Sequence, residues 1–236
     1  MSKLSVVIPC YNEEKNIPLI LERFKSVCTR PDVELLLLDN GSTDSSPNVI
    51  AELLPHYAFA KTFRVPVNKG YGYGIVQGLR VLTSDYVGWT HADMQTDPHD
   101  IMKALDILEF NSDPINMYVK GQRRGRPLVD NVFTCGMSIF ESAYLGGALW
   151  DINAQPNIFH RSFLDHWTNP PDDFSLDLYA LYLAQKRGLR VHRFDVEFTE
   201  RLHGTSKWNT SLGAKWKFIK RTLEFSVKLK RALQEQ

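Results

Sequence analysis

Asp85-Tyr86-Val87-Gly88-Trp89-Thr90-His91-Ala92-Asp93-Met94-Gln95-Thr96-Asp97-Pro98 is the stretch from which the rest of the chain can be read. The aromatic and β-branched run Tyr86 to Thr90, bounded by polar residues, predicts a buried strand. Asp97-Pro98 predicts a turn, with Pro98 suited to open the helix that follows. His91, Asp93 and Gln95 then fall just past the carboxyl end of a strand, where open α/β sheets bind ligands. At alternate positions of extended chain their side chains can face one side. An imidazole, a carboxylate and an amide oxygen can together hold one divalent ion, with water or phosphate completing the shell. A strand-to-helix turn with an aspartate at its cap is the plainer reading of the same residues.

Outward from this stretch the pattern repeats. Leu4 to Pro9 predicts a first strand, followed by the polar loop Cys10-Tyr11-Asn12-Glu13-Glu14 and a helix with Ile17, Leu21 and Phe24 on its apolar face. Val33 to Leu38 is apolar but for Glu34, as a parallel strand covered on both faces should largely be, and it ends in Asp39-Asn40-Gly41-Ser42-Thr43-Asp44. Ser42 or Asp44 can cap a helix through Asn48 to Leu53. Phe59 to Val65 predicts a third strand, and a helix is expected from Ile75 to about Leu82. Strands alternating with helices, each strand ending in a polar or glycine-rich loop, predict an α/β fold with a largely parallel sheet.

Between the third strand and its helix stands Asn68-Lys69-Gly70-Tyr71-Gly72-Tyr73-Gly74. Its glycines can cradle phosphate on backbone N–H groups, with Lys69 adding charge, or they can serve close packing. No Gly-Lys-Ser/Thr follows, and the first strand lacks a dinucleotide fingerprint.

The 236 residues suit one large α/β domain. A net charge of +1 gives no global field to recruit nucleic acid, so none is expected as a partner. Cys10, Cys28 and Cys135 are odd in number and widely spaced, which points away from a disulfide framework or a cysteine-rich zinc site. No signal peptide and no stretch of ~20 apolar residues is read, so a cytoplasmic protein is expected.

Taken in order, Val6-Val7-Ile8-Pro9-Cys10-Tyr11-Asn12-Glu13-Glu14, Leu38-Asp39-Asn40-Gly41-Ser42-Thr43-Asp44, Asn68-Lys69-Gly70 and His91-Ala92-Asp93-Met94-Gln95 resemble family-2 glycosyltransferases of the GT-A fold. The resemblance implies a single Rossmann-like α/β domain over residues 1–210, with a central mostly parallel sheet flanked by helices. Residues 1–120 would be the nucleotide-sugar-binding half and 121–210 the acceptor half. It also implies a nucleotide-sugar donor held by Pro9, Tyr11, Glu13, Asp39, Lys69 and Asp93. Asp93 matches the aspartate that binds metal and diphosphate, so Mg²⁺ or Mn²⁺ is the expected cofactor, with Gln95 and His91 as further ligands. The family usually carries aspartate where His91 stands, which alters the donor set. Gln95 fits the subset related to dolichol-phosphate mannose synthase.

The second half extends the resemblance. Asn116 to Gly121 predicts a strand, followed by Arg123, Arg124 and Arg126 as either a solvated basic loop or a phosphate clamp, with Arg123 at the matching position. Asn131 to Leu149 is read as a core helix or a path to the acceptor. Trp150 to Arg161 resembles the segment lining the sugar, with Asp151 as sugar ligand or base. Asp172 to Lys186 predicts a helix, and Asp173 and Asp177 are further candidate bases. Val191 to Phe198 predicts another strand. Arg201, Ser206 and Lys207 match the Arg…Gly-x-Ser-Lys segment of polyprenol-phosphate enzymes and would contact phosphate.

From Leu212 to the C-terminus a basic amphipathic helix is expected, able to dock on the domain or to lie at a membrane interface. The expected activity is inverting sugar transfer to a polyprenyl-phosphate or lipid-linked acceptor, with peripheral contact on the cytosolic membrane face. A transferase acting on a sugar hydroxyl in cell-envelope polysaccharide synthesis, and a non-catalytic nucleotide-sugar-binding protein, are the alternatives.

Overall fold

The computed structural model describes residues 3–93, 95–125, 128–197 and 212–234. A seven-stranded sheet forms its middle, in the order β3-β2-β1-β4-β6-β5-β7. The strands are β1 (Leu4–Cys10), β2 (Val33–Asn40), β3 (Ala60–Val65), β4 (Tyr86–Trp89), β5 (Met117–Arg124), β6 (Asn157–His160) and β7 (Arg190–Glu197). Only β6 is reversed: it runs antiparallel to β4 and to β5, while every other pairing is parallel. The α/β architecture is the GT-A sheet that the resemblance implied.

The helices are α1 (Ile17–Lys25), α2 (Ser46–Leu53), α3 (Tyr71–Val81), α4 (His99–Glu109), α5 (Leu128–Leu145), α6 (Leu176–Lys186) and α7 (Leu212–Gln234). Both faces of β1 and β2 are covered, which is why Val6-Val7-Ile8 and Leu35-Leu36-Leu37-Leu38 are apolar at successive positions. Val6, Ile8, Leu35 and Leu37 pack with Leu21 of α1 and Leu105 of α4. Val7, Leu36 and Leu38 turn the other way, onto Ile75 and Leu79 of α3 and Leu181 of α6. Each such side chain contributes roughly 1.5–3 kcal/mol on burial.

The structure differs from the sequence reading at three elements. Helix α3 begins at Tyr71, so Gly72 and Gly74 lie inside its first turn, and only Gly70 is the cap, at φ +136°. A first turn of glycines is a weak propensity signal, but close packing against other backbone requires it. Arg123 and Arg124 belong to β5, where pairing with β7 carries the strand past Gly121. Strand β6 lies inside the segment 150–161, for which no strand was read, and four residues bounded by a proline are too few to show periodicity.

Helix α7 docks on α5. Leu229 and Ser226 are buried there, and Lys230 Nζ donates to the Tyr144 carbonyl at 2.7 Å. No helix among the described residues is long and apolar enough to cross a membrane.

The α5–α7 contact encloses a carboxyl group. Ser226 Oγ lies 2.7 and 2.8 Å from the two oxygens of buried Glu141, and 2.8 Å from the Thr222 carbonyl. The serine hydroxyl has one proton, which it can give to the Glu141 carboxyl or to the Thr222 carbonyl. Burial, partly offset by the serine, pushes the Glu141 carboxyl up to about 7. A folded-state value above the unfolded one means that stability is lost as pH rises from the usual carboxylate range through about 7. Glu141→Gln is expected to match the wild type near pH 5 and to exceed it by up to ~3 kcal/mol above pH 8, read by urea melts.

Candidate active site

The carboxyl ends of β1, β2 and β4 meet on one edge. Cys10 pairs with Asp39, and Val7 with Trp89, so the loops after these three strands start side by side. Asn12 has φ +57° and stitches the first two loops together. Its N–H donates to Ser42 Oγ (3.1 Å), and its Oδ1 accepts from the Thr43 N–H (2.8 Å). The Glu13 N–H donates to Ser46 Oγ at 2.9 Å. Pro9, Tyr11, Glu13 and Asp39 are thereby brought to one place, with the Tyr11 ring partly exposed.

Asp39 is buried at the end of β2, where its Oδ1 accepts the Ser42 N–H (2.8 Å). Its Oδ2 lies 3.0 Å from Nε of Arg64 on β3. Beside them is a cavity of about 190 Å³ lined by Asp39, Pro47, Ile50, Ala51, Thr62 and Arg64. Arg64 was not singled out from the sequence, because an arginine in an alternating strand reads as a surface residue.

Asp93 is buried just past β4, and its Oδ1 accepts the Gln95 N–H at 3.2 Å, an Asx turn that curls the loop. His91 and Gln95 flank it half-buried. Among the described residues, no three histidine, cysteine, aspartate or glutamate side chains come together in a way that could hold a cation. One carboxylate with an imidazole and an amide nearby fits an ion that arrives with phosphate oxygens, as Mg²⁺ commonly does.

The glycine loop is a packing device. A Cβ on Gly70 would stand 2.2 Å from the Asp172 carbonyl oxygen, and one on Gly72 2.3 Å from that of Pro171. The Tyr73 N–H donates to the same Asp172 carbonyl at 3.0 Å. Lys69 extends into solvent with its ammonium 5.0 Å from the centre of the Tyr73 ring. The Asp172–Asp173 turn is thus pressed against the start of α3, with Asp173 accepting the Ser175 N–H (2.9 Å). Asp173 lines a cavity of about 330 Å³ with Pro171, Asp172, Glu224, Phe225 and Lys228.

Arg123 and Asp151 form a buried ion pair. Asp151 accepts the Arg123 backbone N–H at 2.8 Å and Nε at 2.9 Å, and Nη2 closes the fork. Asp151 itself sits at φ +41°, with its N–H on Ser138 Oγ (3.2 Å). Burial raises its pKa, but the Arg123 guanidinium outweighs that and holds the carboxyl below the usual carboxylate range. The two residues were singled out separately as phosphate clamp and as sugar ligand or base. Their pairing was not visible, since twenty-eight positions separate them.

Behind these groups lies a polar cluster that the sequence reading missed, apart from Asp177. Lys120, Asn157 and Asp177 are buried. Burial pushes the Lys120 ammonium down and the Asp177 carboxyl up, and each one's charge pulls the other back. Arg201, Ser206 and Lys207 lie outside the described residues.

The sheet order defines a GT-A α/β fold. Residues 5–160 match the model of glycosyl transferase family 2, and the chain belongs to that family. It is 32% identical over 218 residues to an undecaprenyl-phosphate 4-deoxy-4-formamido-L-arabinose transferase of Serratia proteamaculans, covering 89% of this chain and 64% of that one. It is 29% identical over 227 residues to a polyprenol monophosphomannose synthase of Mycolicibacterium smegmatis, covering 87% and 81%. The chain therefore spans less than two thirds of the arabinose transferases it matches. Glucosyl-3-phosphoglycerate synthase of Mycobacterium tuberculosis, solved with UDP, superposes with a TM-score of 0.75 at 19% identity, over 97% of this chain and 80% of that one.

Asp151→Asn leaves the Arg123 charge buried without its partner. It is expected to cost about 3–5 kcal/mol, read as a lower urea midpoint at unchanged slope.

Proposed function

We propose that this protein transfers a sugar, with inversion, from a UDP- or GDP-sugar to a polyprenyl-phosphate acceptor. The observation that carries the acceptor is the Arg123–Asp151 pair: one of the carboxylates that the sequence offered as a base is engaged by a guanidinium and held acidic. A lipid phosphate oxygen is already an anion near neutral pH and needs no base. The names of the relatives above, which include undecaprenyl-phosphate and polyprenol enzymes, support the same reading.

Pro9, Tyr11, Glu13 and Asp39 would receive base and ribose at the ends of β1 and β2, with Lys69 at the rim. Asp93, with Gln95 and His91, would hold a divalent ion, Mg²⁺ or Mn²⁺. When bound, such an ion stabilises the charge that develops on the leaving diphosphate. A relative of the same fold solved with Mn²⁺ and UDP is in keeping with this. Arg201, Ser206 and Lys207 would contact the phosphates of donor or acceptor. Residues 1–120 would then serve the donor and 121–210 the acceptor.

Membrane contact would be peripheral and on the cytosolic side. Helix α7 exposes Lys220, Lys228 and Arg231, and α5 exposes Ile139 and Phe140. Cations and apolar side chains together suit an anionic lipid surface.

A second reading, transfer to a sugar hydroxyl, rests on Asp173. Its carboxylate lines the cavity of about 330 Å³, where it can face an acceptor. Asp173→Asn separates the two. It should leave transfer to a polyprenyl phosphate within ~3-fold, whereas loss of about 10²-fold or more with donor binding retained would establish a hydroxyl acceptor.

Calorimetry with UDP- and GDP-sugars, with and without Mg²⁺ or Mn²⁺, tests the donor. Binding of one donor that strengthens with metal is expected. Asp93→Asn should lower kcat/KM by about 10²–10³-fold. Metal-independent binding without turnover would instead indicate a non-catalytic sugar-nucleotide-binding protein.

A further inference from the structure

The two sides of the sheet join where β4 meets the reversed strand β6, and the join is polar. Asn157 of β6 is fully buried. Its Oδ1 accepts from Lys120 Nζ at 2.7 Å and from the Tyr118 hydroxyl at 3.0 Å, both on β5. Its Nδ2 donates to Asp177 Oδ1, in the first turn of α6, at 3.1 Å. The same Asp177 oxygen accepts Nε1 of Trp89, the last residue of β4, at 3.3 Å. Lys120 Nζ also donates to the Ala154 carbonyl at 2.5 Å.

The amide has one permissible orientation. Its oxygen must face the ammonium and its NH₂ the carboxylate, since the flipped amide would set donor against donor and acceptor against acceptor. The strand register is held equally tightly. Trp89 is paired with Asn157, and a Cβ on Gly88 would stand 2.0 Å from the Asn157 carbonyl oxygen. A slip of β4 against β6 breaks the network and meets this carbonyl. Trp89 leads directly into the loop that carries Asp93. Ala154 belongs to the turn that carries Asp151, its N–H donating to the Asp151 carbonyl at 3.0 Å.

We propose that Asn157, clamped between Lys120 and Asp177, is a positioning residue that sets the Asp93 loop and the 151–156 turn against each other. The consequence for sugar transfer rests on the glycosyltransferase reading above; the mechanical statement does not. Lys120, Asn157 and Asp177 are buried, so the network acts through the loops it holds and not on substrate. Apolar side chains of similar volume would fill the same space without desolvating two charges, and what the polar set adds is a single arrangement.

The test uses the full chain and two variants. Asn157→Leu deletes the clamp, and Asp177→Asn keeps the shape and an oxygen for Trp89 while removing the charge that orients Asn157. Hydrogen exchange is expected to quicken at both 90–97 and 151–156 in each variant, with β2 and β3 unchanged. Donor Kd should move by less than ~3-fold while kcat for transfer falls about 10- to 100-fold, the mark of lost positioning. Exchange that quickens only around β6, or evenly through the sheet, overturns the proposal. So does a fall in donor affinity as large as the fall in kcat. If the wild type binds no nucleotide sugar, the glycosyltransferase reading fails, and hydrogen exchange alone decides the positioning role. If Asn157→Leu does not fold, Asp177→Asn decides it.

Discussion

Lys120 places an ammonium group in the middle of a β-sheet, out of reach of water. A charge there is tolerable only if protein acceptors and an opposite charge stand in for water. The surroundings follow from that demand. The chain turns at 151–156 so that the Ala154 carbonyl faces the ammonium, β6 brings the Asn157 amide, and the first turn of α6 brings a carboxylate within one amide of it. Strand β6 runs against its neighbours, and the site lies at the edge where the parallel set ends.

The strand ends differ in how they treat charge. At β2, Asp39 is buried but borders a cavity and the partly exposed Arg64, so its carboxylate can exchange partners with a ligand. At β4, Asp93 keeps its loop curled through the Gln95 N–H. At β5, Arg123 and Asp151 satisfy each other almost completely, which makes them a brace before they are anything else. The three aspartates have different work to do, and burial together with the nearest cation distinguishes them.

Much of the fold was legible because central parallel strands covered on both faces are apolar along most of their length. Val33 to Leu38 and Leu4 to Pro9 announce themselves in that way, and the polar sets that follow them can only be loops. Strand β6 was not legible. Its four residues carry an asparagine and a histidine, and nothing local marks them as extended. The glycines at 70 and 72 read equally well as a phosphate cradle, because the backbone of Pro171 and Asp172 that excludes a side chain there lies a hundred residues away.

The sequence by itself determined the alternation of strand and helix and the polar character of each strand end, which rest on residues near one another in the chain, and the membership in glycosyl transferase family 2, which rests on short motifs in a fixed order. Tertiary structure alone decided which charges stand alone and which are spent. Arg123 and Asp151, or Lys120 and Asp177, are ordinary charged residues until the sheet brings them together, because desolvation and pairing depend on distance in space and not along the chain.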